Sequence, residues 1–279
     1  MTAQIENAPG DAPVMRSSVQ KLAMDKPSRI QDDWVAVEAP LEVWMGGKPS
    51  TVLMRTPGQD EELVRGFLFG EGIVSVMSDI VSIGRPVNAD QQVGGSVIAV
   101  ELAASAKPPA EERLFYSNSS CGVCGKQTID SIEVRGTVAQ QGLTIERSVL
   151  CTLPDRLRDA QSTFAKTGGV HASGLFTPGG DLVALREDVG RHNALDKLVG
   201  WALGEGRIPL TDYVLVLSGR ISYELVQKAV AASIPMIAAV GAPSSLAVEI
   251  SERFGVTLVG FLRPETLNVY AHPGRIVGQ

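Results

Sequence analysis

Apolar and polar residues alternate along the first third of the chain, which is the pattern of half-buried β-strands. Between residues 33 and 53 this alternation is interrupted by Gly46-Gly47, and the pair predicts a hairpin turn. Apolar residues then recur at helical spacing after Thr56, and the helix should end near Gly70. With further strands at 74–83 and 97–102, the pattern predicts a strand-rich α+β region.

The second half of the chain has a different rhythm, in which short apolar strands alternate with amphipathic helices. It opens with a predicted helix at 153–166, capped by Thr152 and with Pro154 in its first turn. The strands that follow are predicted at 174–176, 182–185, 213–217, 235–240 and 257–262, with helices at 193–203, 221–233 and 244–254. This alternation predicts a largely parallel sheet with crossover helices.

Length and composition fit a globular protein of two domains. The chain has 279 residues, and 44% of them are hydrophobic and 20% charged. We predict a disordered tail at 1–29, because this segment is polar and lacks periodicity. An N-terminal α+β domain should span 30–148 and end in a cysteine-containing loop at 113–128. An α/β domain should span 149–279.

Charge and composition exclude several classes of partner. The net charge is −6 and the pI is about 5.2, so no global basic field attracts nucleic acid or anionic lipid. The longest apolar runs are far shorter than a membrane-spanning helix requires. Three cysteines and a polar N-terminus without an apolar core indicate a reducing compartment and no secretory signal. We therefore expect a cytoplasmic protein.

A C-x-x-C motif formed by Cys121 and Cys124 lies in a segment rich in serine and glycine, which predicts a mobile loop. Two thiols at this spacing can share a metal ion, form a disulfide or pass sulfur between them. A structural zinc site would have to recruit His171 and His192 from a distance. A thioredoxin-like redox pair is a third interpretation. Cys151 is flanked by apolar residues and is predicted to be a buried, inert thiol.

Polar and glycine-rich segments stand where the predicted strands of the second half end. The carboxyl ends of parallel strands meet at one edge of a sheet, so these segments should converge there. Glycine and serine let the backbone approach a ligand, and arginine binds phosphate through paired hydrogen bonds. The sequence therefore predicts a phosphate or nucleotide site at this edge. Its candidate residues are His171, Asp188, Ser218, Gly219, Arg220 and Arg263.

Several of these segments, taken together, resemble the FdhD family of formate dehydrogenase accessory sulfurtransferases. The resemblance rests above all on the sequences SSCGVCGK at 119–126 and REDVGRHNALDK at 186–197. Further matching segments are 56–58, 71–74, 168–171, 217–222, 242–245, 260–263 and 268–270. The resemblance extends from about residue 35 to residue 277.

This resemblance implies a sulfur carrier protein. Such a protein accepts sulfur from a cysteine desulfurase as a cysteine persulfide. It transfers the sulfur to a molybdenum cofactor, bis-molybdopterin guanine dinucleotide, before the cofactor is inserted into formate dehydrogenase. The resemblance also implies a C-terminal domain with a cytidine-deaminase-like fold, a homodimer and no intrinsic metal ion.

The resemblance also implies roles for individual residues at the matching positions. Cys121 bears the persulfide, and Cys124 assists release of the sulfur by attacking it or by holding it. The residues implied to contact the cofactor are Gly260, Phe261, Leu262, Arg263, Pro264 and Glu265.

A deaminase-like fold raises the question of zinc chemistry. In zinc deaminases a histidine precedes the cysteine pair, and a glutamate two residues after that histidine shuttles the proton. Here His171 follows the cysteines, and Ser173 stands where the glutamate would be. We therefore expect no deaminase activity. The alternatives to sulfur transfer are a chaperone that binds the cofactor without chemistry and a structural zinc-binding protein.

Overall fold

The computed structural model describes residues 12–86, 96–107, 115–116 and 142–278. Cys121 and Cys124, which carry the predicted sulfur chemistry, lie outside the described residues. So do residues 1–11 of the predicted tail and most of the predicted loop at 113–128.

The first described element is an antiparallel hairpin of β1 (Val14–Ala23) and β2 (Lys26–Ala36). The prediction of disorder over 1–29 is therefore wrong from Val14 onward. Much of the ladder is formed by polar side chains, including an ion pair of 3.8 Å between Arg16 and Asp32. Because both strands are largely exposed, the sequence has no clear apolar alternation there that would reveal them.

A five-stranded sheet follows, with the strand order β5-β6-β3-β4-β7. Its strands are β3 (Ala39–Met45), β4 (Lys48–Arg55), β5 (Ile80–Gly84), β6 (Val97–Leu102) and β7 (Phe115–Tyr116). The predicted hairpin turn at Gly46-Gly47 is confirmed, and both glycines have positive φ angles, of 58° and 75°. The predicted strand at 74–83 begins only at Ile80, because Met77–Asp79 forms a 3₁₀ turn closed by the Asp79 carboxylate.

The second half forms a six-stranded sheet with the order β10-β9-β11-β12-β13-β14. Its strands are β9 (His171–Phe176), β10 (Leu182–Asp188), β11 (Val214–Leu217), β12 (Met236–Ala239), β13 (Thr257–Gly260) and β14 (Asn268–Ala271). Only β11, β12 and β13 pair in parallel. The prediction of a largely parallel sheet is therefore wrong for its flanks, where hairpin β9–β10 and strand β14 join in antiparallel orientation.

Six helices accompany these sheets in the described part of the chain. They are α1 (Asp60–Gly70), α2 (Arg147–Ala160), α3 (Ser162–Thr167), α4 (Arg191–Gly204), α5 (Tyr223–Ala231) and α6 (Ser245–Phe254). The predicted helix at 153–166 is in fact two helices that meet at Gln161. Thr152 lies inside α2 rather than capping it, and its hydroxyl donates to the carbonyl of Val149 at 2.8 Å.

Two buried apolar clusters pack around the six-stranded sheet. The larger includes side chains of α1, α4 and the five-stranded sheet, such as Leu63, Leu195 and Val43. The smaller joins α2 to the sheet through Leu150, Leu157 and other buried side chains. A short parallel pair, β8 (Ile145–Glu146) with β15 (Ile276–Val277), ties the start of α2 to the end of the chain. The predicted α/β fold class is confirmed. The division of the chain into two domains at residue 148, and the cytidine-deaminase-like fold of the C-terminal domain, stay predictions.

The sheet topology fixes where the predicted site residues meet. The carboxyl ends of β10, β11, β12 and β13 lie at one edge of the six-stranded sheet, because β10 runs antiparallel to β9 and β9 antiparallel to β11. The amino end of β9 lies at the same edge, where His171 pairs with Asp188. We call this the strand-end edge.

Candidate functional site

Glycines let the loops at the strand-end edge lie directly on one another. The backbone N–H of Gly241 donates to the carbonyl of Gly219 at 3.1 Å. A Cβ at Gly241 would lie 2.6 Å from that carbonyl oxygen, and a Cβ at Gly260 would lie 2.8 Å from Pro243. Any larger residue at Gly241 would therefore force the loops apart.

A cavity of about 510 Å³ opens beside these loops, a volume typical of sites for small molecules. One wall comes from the strand-end edge and includes Gly168, Gly169, Val170, His171, Ser218, Val240, Leu262, Arg263 and Pro264. The opposite wall comes from α2 and α3 and includes Pro154, Asp155, Leu157, Arg158, Gln161 and Phe164.

The helical wall was not predicted, although its spacing along α2 could have indicated it. Pro154, Leu157, Arg158 and Gln161 recur at intervals of three and four residues, so they share one face of the helix. The guanidinium of Arg158 lies 4.1 Å from the centre of the Phe164 ring. The side-chain nitrogen of Gln161 is buried without a hydrogen-bond partner in the part of the chain that the structure describes. This wall therefore offers an aromatic face, a cation and an unused donor.

Five of the predicted cofactor-binding residues line the cavity, namely His171, Ser218, Leu262, Arg263 and Pro264. The Ser218 hydroxyl accepts a hydrogen bond from the backbone N–H of Ala172 at 2.8 Å, which fixes this strand end to β9. Nη1 of Arg263 donates to the carbonyls of Val240 and Leu262 at 2.9 and 2.8 Å. These bonds hold the guanidinium close to the strand ends.

Other predicted residues lie at the same edge but outside the cavity walls, and they are Gly219, Arg220, Gly260, Phe261 and Glu265. Phe261 has a φ angle of 50°, which is uncommon for a residue with a side chain, and the residue is 44% exposed. Arg220 and Glu265 are exposed. The structure therefore brings these residues to one edge without placing all of them in one cavity.

Asp188, which the sequence analysis placed in the cofactor site, does not line the cavity. Asp188 is completely buried, and its carboxylate forms an ion pair of 2.8 Å with Lys197. It also accepts hydrogen bonds from the backbone N–H groups of Thr56 and Gly190 and from the side chain of Asn193. With all of these donors in place, Asp188 fixes the start of α4 against the end of β4 and has little capacity left for a ligand.

His171 is half-buried, and its ring lies against Gly219, where an added Cβ would be 3.1 Å from Nδ1. Burial lowers the pKa of His171, and the nearby guanidinium groups of Arg191 and Arg220 lower it further. Asp188 acts in the opposite direction, but the net pKa shift is downward. The imidazole is therefore neutral near neutral pH.

Arg191 is a candidate that the sequence analysis did not single out. It is the first residue of α4, and its Nε atom is buried with no hydrogen-bond partner among the described residues. It belongs to the REDVGRHN segment, so the density of polar groups there could have indicated it.

His192, Ser222 and Glu224 also meet near this edge. Nε2 of His192 lies 3.1 Å from the Ser222 hydroxyl and 3.8 Å from a carboxylate oxygen of Glu224. A nucleophilic triad requires the serine and the carboxylate on opposite ring nitrogens, so this arrangement is not one. Burial alone would raise the pKa of Glu224, but hydrogen bonds involving His192, Ser222 and its own backbone lower it to about 2. The group is a local polar network.

Residues 12–86, 96–107 and 142–278 contain neither a metal-binding cluster nor a helix that could span a membrane. Within these ranges no group of three or more His, Cys, Asp or Glu residues is arranged to hold a metal ion. A zinc site that uses Cys121 and Cys124 stays a prediction. Among the described residues no helix has both the length and the apolarity needed to span a membrane.

Comparisons with known proteins agree on one family. Residues 36–277 match the FdhD/NarQ family. The chain is 47% identical over 248 residues to the sulfur carrier protein FdhD of Nocardia farcinica, covering 88% of this chain and 89% of that protein. It is 49% identical over 251 residues to the protein of the same name from Mycobacterium tuberculosis, covering 87% and 91%.

A solved structure extends the likeness to three dimensions. This structure, described as a formate dehydrogenase accessory protein from Desulfotalea psychrophila, is 26% identical to the chain and superposes with a TM-score of 0.77. The likeness covers 95% of this chain and 100% of that one. On the length of the family match and the identity to these relatives, the chain belongs to the FdhD/NarQ family.

Proposed function

We propose that this protein is a sulfur carrier required for formate dehydrogenase activity. Two features support the proposal: relatives with about half of their residues identical are named sulfur carrier proteins, and the chain contains Cys121 and Cys124. The structural observation that carries it is the cavity of about 510 Å³ at the strand-end edge, beside cationic side chains. An acidic protein can bind an anionic cofactor there only through local cations such as these.

The first step loads sulfur onto Cys121. The Cys121 thiolate attacks the terminal sulfur of a persulfide on a cysteine desulfurase. A new S–S bond forms on Cys121, and the electron pair of the broken S–S bond leaves with the desulfurase thiolate. No net oxidation occurs in this exchange, because the sulfane atom moves between two thiols.

The second step releases the sulfur to the cofactor. The Cys124 thiolate attacks Sγ of Cys121, so that a disulfide forms between them and the terminal sulfur leaves as hydrosulfide. The two electrons that reduce this sulfur come from the two cysteines. The hydrosulfide and a proton then replace an oxygen ligand of the molybdenum, and the oxygen leaves as water. A thiol reductant restores the cysteine pair before the next cycle.

The substrate of this step is the molybdenum cofactor bis-molybdopterin guanine dinucleotide. We assign its nucleotide-bearing part to the strand-end edge, where Leu262, Arg263 and Pro264 line the cavity and Phe261 is exposed beside it. The partners in this proposal are a cysteine desulfurase, formate dehydrogenase and a second copy of this chain. A cytidine-deaminase-like arrangement of the C-terminal half is part of the same proposal.

Activation of formate dehydrogenase in cells that lack their own sulfur carrier tests the proposal. We expect the full-length wild type to restore activity and the Cys121→Ala/Cys124→Ala variant to lose it, because only sulfur transfer needs these thiols. Cys151→Ala keeps both motif thiols and is the matched control. Full activation by the double variant would contradict the proposal and favour a chaperone that binds the cofactor without chemistry.

A further inference from the structure

The β1–β2 hairpin projects from the rest of the described chain. Residues 20–30 are all exposed, and the hairpin forms a sheet of its own that pairs with no other described strand. A two-stranded hairpin alone is only marginally stable in water, and a long exposed strand edge is a template for another strand. All but the last residue of the hairpin precedes residues 36–277, which match the family, so that match gives the hairpin no role.

The outer edge of β2 presents a defined set of backbone groups. At the base of the hairpin the N–H of Val37 donates to the carbonyl of Pro13 at 3.0 Å, so these two residues are a hydrogen-bonded pair. Such pairs alternate along an antiparallel ladder, so the even-numbered residues of β2 point their N–H and C=O groups away from β1. Accordingly, the N–H of Trp34 donates to the carboxylate of Asp33 at 2.8 Å. An open ladder edge therefore runs along residues 30–34.

The order of charges along β2 fits an antiparallel copy of the same strand. Lys26 and Arg29 lie toward the tip of the hairpin, and Asp32 and Asp33 lie toward its base. Arg29 forms no ion pair within the described ranges. A second β2 in antiparallel orientation brings the basic end of each strand to the acidic end of the other, whereas a parallel copy would align like charges.

The other edge of the hairpin fits a second copy poorly. The charged residues of β1 are Arg16 and Lys21, both basic, so two copies of β1 would repel each other. Pairing β1 of one copy with β2 of the next would leave an open edge at each end of the assembly, and such a contact forms fibres instead of a closed dimer. Two β2 strands related by a two-fold axis form a closed pair.

We propose that β2 pairs with β2 of a second copy of this chain, in antiparallel orientation about a two-fold axis at Gln31, and that the two hairpins form one four-stranded sheet. In this register Arg29 lies opposite Asp33 of the other copy, and the symmetry forms this pair twice. A shift of the axis to Asp32 would place the two Asp32 carboxylates opposite each other. A shift to Ile30 would separate Arg29 from Asp33.

The same register brings exposed apolar side chains together. Ile30 and Trp34 are 71% and 39% exposed, and they share one face of β2 because successive side chains of a strand alternate between faces. With the axis at Gln31, Trp34 of each copy lies diagonally beside Ile30 of the other, and the two Ile30 side chains are diagonal neighbours across the axis. The four side chains therefore form one continuous apolar row, whose burial stabilises the pair.

Sedimentation equilibrium of the full-length protein tests the pairing. We expect a dimeric wild type, and we expect Arg29→Asp and Asp33→Arg each to raise the Kd of the dimer by about tenfold or more, because like charges then oppose each other twice. The double variant Arg29→Asp/Asp33→Arg restores unlike charges across the axis and should return the Kd to within about threefold of the wild type. Glu249→Arg reverses an exposed charge on α6 and is the control, with a change of less than about twofold.

A disulfide cross-link tests the register. In the Cys121→Ala/Cys124→Ala background, Gln31→Cys places two thiols opposite each other across the axis, at a Cα separation of about 4.5 Å that a disulfide can bridge. Diamide oxidises them, taking up the two electrons and two protons that the thiols lose. Ser28→Cys is the matched control on the same strand, because its two copies would be about 20 Å apart. We expect a covalent dimer from Gln31→Cys alone.

A monomeric wild type would overturn the inference, as would a dimer whose Kd the charge reversals leave unchanged or equal cross-linking at the two positions. The recovery expected of the double variant separates a lost contact from a misfolded hairpin. The inference rests on the proposed function only in giving a surface to the second copy that it includes. A dimer of this kind that fails to activate formate dehydrogenase would defeat the proposed sulfur transfer alone, whereas activation by a monomeric wild type would defeat this inference alone.

Discussion

Single carboxylates near the strand-end edge position the backbone and side chains around the start of α4. Asp188 fixes the turn before Arg191, and Glu224 engages the next residue along, His192, through its imidazole. Glu187 binds the first N–H groups of α3, behind the helical wall of the cavity. Each of these acids therefore acts on the site through backbone or side chains that it positions.

Glu224 should make stability depend on pH in a defined range. Its pKa is lowered from 4.5 to about 2, so the folded state favours the charged form. The stabilisation is complete above about pH 4.5 and is lost as the pH falls toward 2. We expect Glu224→Gln to reduce the free energy of unfolding by about 2 kcal/mol at neutral pH. In urea unfolding the difference from wild type should shrink between about pH 4.5 and pH 3.

Glu249→Gln is the matched control for Glu224→Gln, because it removes an exposed carboxylate from α6. We expect it to change the free energy of unfolding by less than about 0.5 kcal/mol. A difference for Glu224→Gln that stays constant across this pH range would show that the interaction of its charged form with His192 and Ser222 contributes nothing to folding.

At the scale of elements, two glycines set the contact between α1 and α4. A Cβ at Gly66 would collide with the backbone carbonyl of Asp196, and one at Gly200 with the backbone carbonyl of Glu62. The two helices therefore approach until their backbones touch. This contact joins the strand-rich first half of the chain to the helix that begins with Arg191.

Replacing one of these glycines should separate the helices. We expect Gly200→Ala to lower the free energy of unfolding by about 2–4 kcal/mol, because the colliding atoms are backbone atoms that cannot rotate away. Gly204→Ala in the last turn of the same helix is the control. There the nearest atom is Nη1 of Arg65, 3.3 Å from an added Cβ, and that side chain can move. The control should be neutral or stabilising by up to about 1 kcal/mol. Equal stability of the two variants in urea unfolding would contradict the close contact.

At the scale of the whole molecule, the sequence predicted those elements that are indicated by the apolar pattern or the turn residues of their own short stretch of chain. Hairpin β3–β4, helix α1 and the alternation from β11 to β13 were of this kind. The antiparallel flanks of the six-stranded sheet were not, because strand orientation depends on pairing partners that lie elsewhere in the chain. Hairpin β1–β2 was missed because its strands are largely exposed and carry little apolar pattern.

The residues of the candidate site were likewise predicted only in part from the sequence. His171, Ser218 and Arg263 could be placed at one edge because they follow or precede strands whose ends meet there. Asp188 stands in an equally polar segment but is buried by Thr56, Asn193 and Lys197, and no local pattern reveals those partners. The helical wall and the unpaired donor of Arg191 likewise depend on how α2 and α4 pack against the sheet.

The loading of sulfur on Cys121 tests the central claim most directly, by intact-mass spectrometry after incubation with a cysteine desulfurase and cysteine. We expect the full-length wild type to gain the mass of one sulfur atom and to lose it on treatment with a thiol reductant. Cys121→Ala should gain none, whereas Cys151→Ala should load as the wild type does. Equal loading of the wild type and Cys121→Ala would contradict the account.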